Sequence, residues 1–295
     1  MASKPLSWLV TGASSGLGQS ICIAALQAGH KVVGATRDVA QAENTNSYFS
    51  RKGGIWVQLN PAQKDSEEQF AKVSKEHSID VLVNCAGYAF IGGIEDASED
   101  EVRAQMEVNF YAPLRAVRAC LPVMRKKGFG HVVLISSGAG FIARPGRGVY
   151  SASKFAIEAA HESLAQEVSS LGIKVLIVEP GAFRTAFSTR LITPAAHKAT
   201  GGFSEGYKGT AVDTMLSSMA TSSTGEAPVH LLKGCPDKAA REIVKAVDNG
   251  YDYLRMILGP DCVVALGEKL ESLQHDLEAT RAIAMSTDID TSEKS

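Results

Sequence analysis

The sequence predicts an α/β protein, a doubly wound parallel sheet in one domain with helices on both faces. Three observations carry this. Short apolar, β-branched runs alternate with longer helical patterns through the first 180 residues. Several runs are apolar on consecutive rather than alternate positions, which marks strands covered on both faces. A glycine-rich turn follows the first run, and repeated β-α-β units with right-handed crossovers build an open sheet.

Taken in order, strands are predicted at 6–10 (LSWLV), 31–36 (KVVGAT), 55–59 (IWVQL), 80–84 (DVLVN), 131–136 (HVVLIS) and 174–179 (KVLIVE). Residues 16–29, GLGQSICIAALQAG, have apolar residues at helical spacing and stop on Gly29. SEEQ at 66–69 and SEDE at 98–101 read as capping boxes that open two more helices. Residues 151–171 form a long amphipathic helix closed by Gly172. After Pro180 the periodicity fades. Residues 186–234 are rich in Ser, Thr, Gly and Ala and read as a long irregular lid over a binding site. A helix over PDKAAREIVKAVDNG, a short strand at LRMIL and a helix near 261–284 follow. One domain is expected over 1–285, with 286–295 a frayed tail.

Composition narrows the function classes. A net charge of −2 gives no electrostatic reason to expect a nucleic-acid partner. The five cysteines stand singly and read as free thiols in a reducing compartment, so the expected location is cytoplasmic. The seven histidines lack metal-ligand spacing, and no metal site is expected. No apolar stretch reaches membrane-spanning length. The expected partner is a small molecule.

Two motifs carry chemistry. TGASSGLG, residues 11–18, sits behind the first strand. Gly12, Gly16 and Gly18 lack a Cβ, so the backbone can turn tightly and a pyrophosphate can approach the helix N-terminus. The spacing is neither the usual G-x-G-x-x-G nor a P-loop. In YSASK, Tyr150 and Lys154 are four apart at the start of a helix and project from one face. A free tyrosine, with a pKa near ~10, is a poor proton donor at neutral pH. A neighbouring ammonium brings it toward the working range. Alone, each motif also fits an ordinary turn or an ordinary helix surface.

Together with NCAG at 84–87, Asn109, ISSGAG at 135–140 and PG at 180–181, in that order, they resemble the short-chain dehydrogenase/reductase family. The likeness is close over roughly residues 5–185 and implies a Rossmann-type sheet with the lid after its sixth strand. It implies Tyr150 as general acid or base and Lys154 as the group that lowers its pKa and holds the nicotinamide ribose. It further implies Ser137, rather than its neighbour Ser136, at the substrate oxygen, and Asn109 at a helix distortion supporting a proton relay. The phosphate turn would comprise Thr11, Gly12, Ser14, Ser15, Gly16, Leu17 and Gly18. Asn84, Ala86 and Gly87 would meet the adenosine side. Pro180, Gly181, Phe183 and Thr185 would shape the nicotinamide pocket. The sequence departs from the family at Cys85, where a second Asn is usual, and at Asn60, where an Asp is common; Asn60 retains the capacity to bond adenine. Helices near 100–127 and 151–171 would pair in a homodimer or homotetramer through Ala156, Ala159, Ala160 and Leu164.

At the end of the second strand an acid would favour NAD. Here Thr36 stands in that place and Arg37 follows, so NADP(H) is preferred and NAD(H) is the weaker alternative. The activity this implies is interconversion of a ketone and a secondary alcohol on a small, hydrophobic molecule. Phe183, Phe187, Phe203, Tyr207 and the segment FIARPGRG (141–148) would line its pocket. Two alternatives remain open: an epimerase, isomerase or dehydratase on the same fold, and a non-catalytic NADP-binding sensor.

Overall fold

The computed structural model describes residues 4–187, 190–223 and 233–289. The apolar runs become strands close to their expected bounds: β1 (Ser7–Thr11), β2 (Lys31–Thr36), β3 (Ile55–Gln58), β4 (Val81–Asn84), β5 (Gly130–Ile135), β6 (Ile173–Pro180) and β7 (Arg255–Leu258). All pair in parallel, in the order β3-β2-β1-β4-β5-β6-β7. Consecutive residues of one strand feed opposite layers. Trp8 and Val10 join a cluster with Ile21, Ala25, Ile243 and Val247. Leu9 joins Phe70, Ala116, Cys120, Met124 and Leu164 on the other face. Burial on both faces is why these runs lack a period of two.

Ten α-helices occur among the described residues. α1 (Gly16–Gln27) and α9 (Pro236–Asn249) pack on the first face, and α4 (Ser66–Glu76), α6 (Ala112–Lys127) and α7 (Gly148–Val168) contribute to the second. The others are α2 (Val39–Thr45), α3 (Ser47–Arg51), α5 (Glu99–Met106), α8 (Ala211–Ser223) and α10 (Pro260–Met285). Strand order reverses between β2 and β4 on either side of β1. Ligands bind at the carboxyl ends of strands beside such a switch.

Three expectations are corrected. The capping box at Ser98–Glu101 forms, with the serine hydroxyl and the glutamate carboxylate each taking the other's backbone N–H. The one at SEEQ does not. Asp65 precedes that helix, the buried Ser66 hydroxyl donates to the Pro61 carbonyl (3.0 Å), and Glu67 pairs with Arg118 across to α6. The lid is not wholly irregular, because α8 runs through it. Val212, Leu216 and Met219 fall three and four apart and pack against the site, a stripe hidden among serines and threonines. Short helices α2 and α3 were also not anticipated. α2 opens on Asp38, whose carboxylate accepts from the Gln41 N–H (2.9 Å). Residues 224–232 of the expected lid and 290–295 of the expected tail lie outside the described residues.

Candidate active site

β1 ends on Thr11, whose buried hydroxyl accepts from the N–H groups of Cys85 and Ala86 (3.0 Å each), fixing the end of β4 against the turn. Gly12 (φ +66°) and Gly16 (φ +55°) adopt the left-handed backbone that favours glycine. A Cβ on Gly12 would meet the Ala86 Cα at 2.9 Å, and one on Gly18 would meet the Gly12 carbonyl oxygen at 2.4 Å. Only glycine lets helix, turn and β4 close up this tightly. Ser15 opens α1 without a side-chain cap, so its first N–H groups are left for another acceptor. The turn therefore fits a dinucleotide pyrophosphate. Ser14 and Leu17 lie half-buried in the same turn. Cys85 packs its sulfur toward Gly18, and burial pushes its thiol up to about 12, so the residue standing for the family's second Asn acts as an apolar filler.

Past β2, Thr36 is buried and Arg37 is exposed. Arg37, Gln58, Asn60, Gln63 and Gln69 line a cavity of about 410 Å³ without a carboxylate among them. Asp38, the acid that would temper a phosphate preference, is engaged as the cap of α2. Asn84 is buried and its amide donates to the Pro113 carbonyl (3.2 Å), tying β4 to α6.

The catalytic candidates converge. Between α5 and α6 the chain makes a five-residue π-helical turn, Glu107–Tyr111, a distortion common at functional sites. It turns Asn109 inward. The amide nitrogen of Asn109 donates to the Tyr88 carbonyl (3.0 Å) and to the Ser153 hydroxyl (3.1 Å), and its oxygen accepts from the Tyr88 N–H (3.3 Å). Asn109 thus clamps the segment after β4 to α7. A Cβ on Gly87 would lie 3.1 Å from the Asn109 oxygen and 3.9 Å from the Lys154 nitrogen, so glycine keeps this corner open.

Tyr150 and Lys154 are both buried, one turn apart on α7. Ser137 follows β5; its hydroxyl accepts from the Ala139 N–H (3.1 Å) and lies near enough to the Tyr150 phenol to pull its pKa down. Ser136 is committed elsewhere, donating to Glu158, which leaves Ser137 as the serine at the phenol. The Lys154 ammonium donates to the Ile135 carbonyl (3.0 Å) and sits 6.0 Å from the Tyr150 ring centre. Burial pulls it down to about 8. Burial also pushes the Tyr150 phenol up, while the nearby Ser137 hydroxyl and the Arg147 charge pull it back. Arg147 was not singled out from the sequence. Its signal was there: it lies three residues before Tyr150 in the FIARPGRG wall.

The walls are apolar. Ala89, Ile91, Ala139, Tyr150 and Leu216 form a buried cluster edged by Leu191, Phe203, Val212 and Met219. Phe187 stands 6.0 Å from Tyr150, ring to ring. Tyr207 lies against Gly93, whereas Phe183 bridges to Gly234. Pro180 ends β6, and Gly181 is pressed so close to the Asp261 carboxylate that a Cβ would sit 2.3 Å from it. Thr185 packs against Gly16, bringing the start of the lid onto the phosphate turn. Arg190, also missed from the sequence, donates to the Ser15 hydroxyl (3.3 Å) and adds a cation there.

Behind the site lies a charged cluster. Arg255 on β7 bonds Glu158 of α7, Glu179 of β6 (2.6 Å) and Glu162 (2.7 Å). Glu158 and Glu179 are buried, and one oxygen of Glu179 has no partner. Burial and the neighbouring Glu158 carboxylate push Glu179 up against the pull of Arg255.

Comparison with known proteins agrees with this fold. A family profile described as short chain dehydrogenase matches residues 7–195. Oxidoreductase claN of Passalora fulva is 43% identical over 211 residues, 71% of this chain and 94% of that protein. The crystal structure of a short-chain dehydrogenase from Streptomyces avermitilis, 34% identical, superposes with a TM-score of 0.80 over 97% of this chain and 100% of that one. A short chain dehydrogenase/reductase from Burkholderia phymatum in complex with NAD shares the fold at 18% identity, with a TM-score of 0.76 over 94% and 96% of the two chains. The profile runs from β1 into the lid and the structural match continues through the remainder, so the chain belongs to the short-chain dehydrogenase/reductase family of oxidoreductases.

Proposed function

We propose that the protein is a cytoplasmic, NADP(H)-dependent oxidoreductase that interconverts a ketone and a secondary alcohol on a small hydrophobic molecule. The observation that carries this reading is the buried Tyr150, with Ser137 and Lys154 beside it, set in an apolar wall next to the glycine turn. A bound nicotinamide cofactor would supply or accept the hydride. The chain does the rest. Ser137 and Tyr150 direct two hydroxyls at one substrate oxygen, Ser137 stabilising charge as it develops there. In reduction Tyr150 gives its proton to that oxygen, and in oxidation it takes the proton back. Lys154, beside Gly87 and Asn109, would hold the nicotinamide ribose and return protons to the phenol. The apolar wall and the lid helix α8 exclude water and favour a bulky hydrophobic substrate.

Loss of NADPH absorbance over a panel of ketones, quinones, steroids and aliphatic aldehydes tests the reading. Turnover with stoichiometric NADPH oxidation is expected. Substrate conversion without net NADPH consumption would point to an epimerase, isomerase or dehydratase, and tight NADPH binding without any turnover to a sensor.

The preference for NADP(H) rests on Arg37 in a carboxylate-free cavity. Arg37→Ala is expected to lower kcat/KM for NADPH by about 30-fold, the worth of a hydrogen bond to a charged group, and to leave NADH nearly unaffected. Equal losses with both cofactors would remove the 2′-phosphate from the argument.

Arg147 gives a pH test. Its charge favours the phenolate of Tyr150, so removing it raises the phenol pKa further. Reduction needs protonated Tyr150 and falls as pH rises through that pKa. In Arg147→Met the falling limb should move to higher pH, and the rising limb of alcohol oxidation should move with it. Unshifted limbs in kcat/KM profiles would show that Arg147 does not act on the phenol.

A further inference from the structure

We infer that α10 pairs, antiparallel, with α10 of a second copy of this chain. The root of the helix is held by buried Cys262 and Ala265. From Leu270 to Met285 every residue is exposed. Most helical stability in proteins comes from packing an amphipathic face, and this stretch buries no face against the described residues of its own chain. This one also carries an apolar seam: Val263, Leu266, Leu270, Leu273 and Leu277 recur alternately three and four residues apart, as at the core positions of a heptad repeat. The last three leucines are 57%, 49% and 52% exposed. The far side of the helix bears Glu268, Glu271, His275 and Glu278. An acidic outer face with leucines in a narrow line suits a second helix better than an anionic membrane surface.

The flanking charges select both the occupant and its direction. With Leu270 set against the partner's Leu273, an antiparallel two-fold pairing brings Lys269 beside the partner's Asp276, and the symmetry makes the contact twice. Among the described residues neither Lys269 nor Asp276 has an ion-pair partner in its own chain. A parallel pairing would instead bring Asp276 to the partner's Arg281, and Arg281 already holds Glu278 through Nε (2.9 Å) and Nη2 (2.7 Å). The ends agree. Exposed Val263 stands on the seam at the root and exposed Ile283 flanks it at the tip, and antiparallel packing lays each tip over the other root. This contact is separate from the one expected at α7, where Ala159 is exposed and Ala156 and Ala160 are half-buried.

Sedimentation velocity and light scattering on the full chain test the inference. The double substitution Leu270→Lys with Leu273→Lys changes only exposed positions, and unchanged far-UV circular dichroism together with an unchanged thermal midpoint of the domain will show that the fold is kept. Its mass is expected to be half that of the parent protein. An unchanged mass, or a parent protein that is a single chain at micromolar concentration, overturns the inference. For direction, Lys269→Asp is expected to weaken self-association roughly tenfold, and adding Asp276→Lys to restore it. If the reciprocal exchange fails to restore association, the antiparallel register is wrong.

Discussion

Tyr150→Phe is expected to cut kcat by about a thousandfold while leaving the cofactor Kd unchanged. The change removes one oxygen and nothing else. The ring stays packed among Ala89, Ile91, Ala139 and Leu216, and Ser137 keeps its bond from the Ala139 N–H. Removing one buried hydroxyl costs about 1 kcal/mol of stability, too little to unfold a domain of this size. What disappears is the proton donor. Burial holds the phenol in its protonated form through neutral pH, the state that reduction of a carbonyl requires. In the oxidation direction the phenolate is needed, and the nearby Arg147 charge and Ser137 hydroxyl are the groups that stabilise it. Reduction should therefore hold its rate through neutral pH and oxidation should accelerate toward alkaline pH. Fluorescence titration of NADPH and single-turnover absorbance, run on the same variant, separate binding from chemistry. A variant turning over at near-parent rates would remove Tyr150 from the proton-transfer role.

Much of this site was legible in the sequence because its backbone demands are local. Gly12, Gly16 and Gly18 follow an apolar run, and a tight strand-to-helix turn needs residues without a Cβ there. Tyr150 and Lys154 share a helix, so their spacing alone sets them on one side. Ser136 and Ser137 are different. Adjacent strand-end residues point to opposite sides, and only the position of Glu158, 22 residues on, shows which serine is occupied. Asn109 gave its identity but not its partners, because Tyr88 and Ser153 reach it from two other elements. The lid helix α8 was hidden by composition, since its serines and threonines have weak helix propensity and packing on the site supplies what propensity does not. Arg147 and Arg190 were missed for a related reason. Their meaning lies in what they approach, Tyr150 and Ser15, and no spacing rule in one sequence reports that.

Arg255→Met is expected to destabilise the fold by about 3 kcal/mol, and by more at pH 8 than at pH 5.5. The guanidinium is a third exposed, but the two carboxylates it serves, Glu158 and Glu179, are buried. Removing the cation leaves both without a counter-charge, the costly way to break a buried ion cluster. The pH direction follows from the Glu179 shift. A carboxyl whose pKa is higher folded than unfolded adds stability while it is protonated, and that contribution is lost as pH rises through the folded pKa. Glu179 is already pushed up with Arg255 in place, and without it the carboxyl moves higher still. The variant should thus recover part of its deficit in acid, where the Glu179 carboxyl is neutral. Urea unfolding at the two pH values measures this, and an equal deficit at both would show that the cluster is not governed by ionisation. The effect should also reach the site. Glu158 lies one turn beyond Lys154 on α7 and receives the hydroxyl of Ser136, next to Ser137, while Glu179 directly precedes Pro180 and Gly181. The cluster therefore anchors three walls of the candidate site at once, β5, β6 and α7. At a temperature where the variant remains folded, its kcat should fall along with its stability, whereas the cofactor affinity proposed to depend on Arg37, on the far side of the sheet switch, should be unaffected.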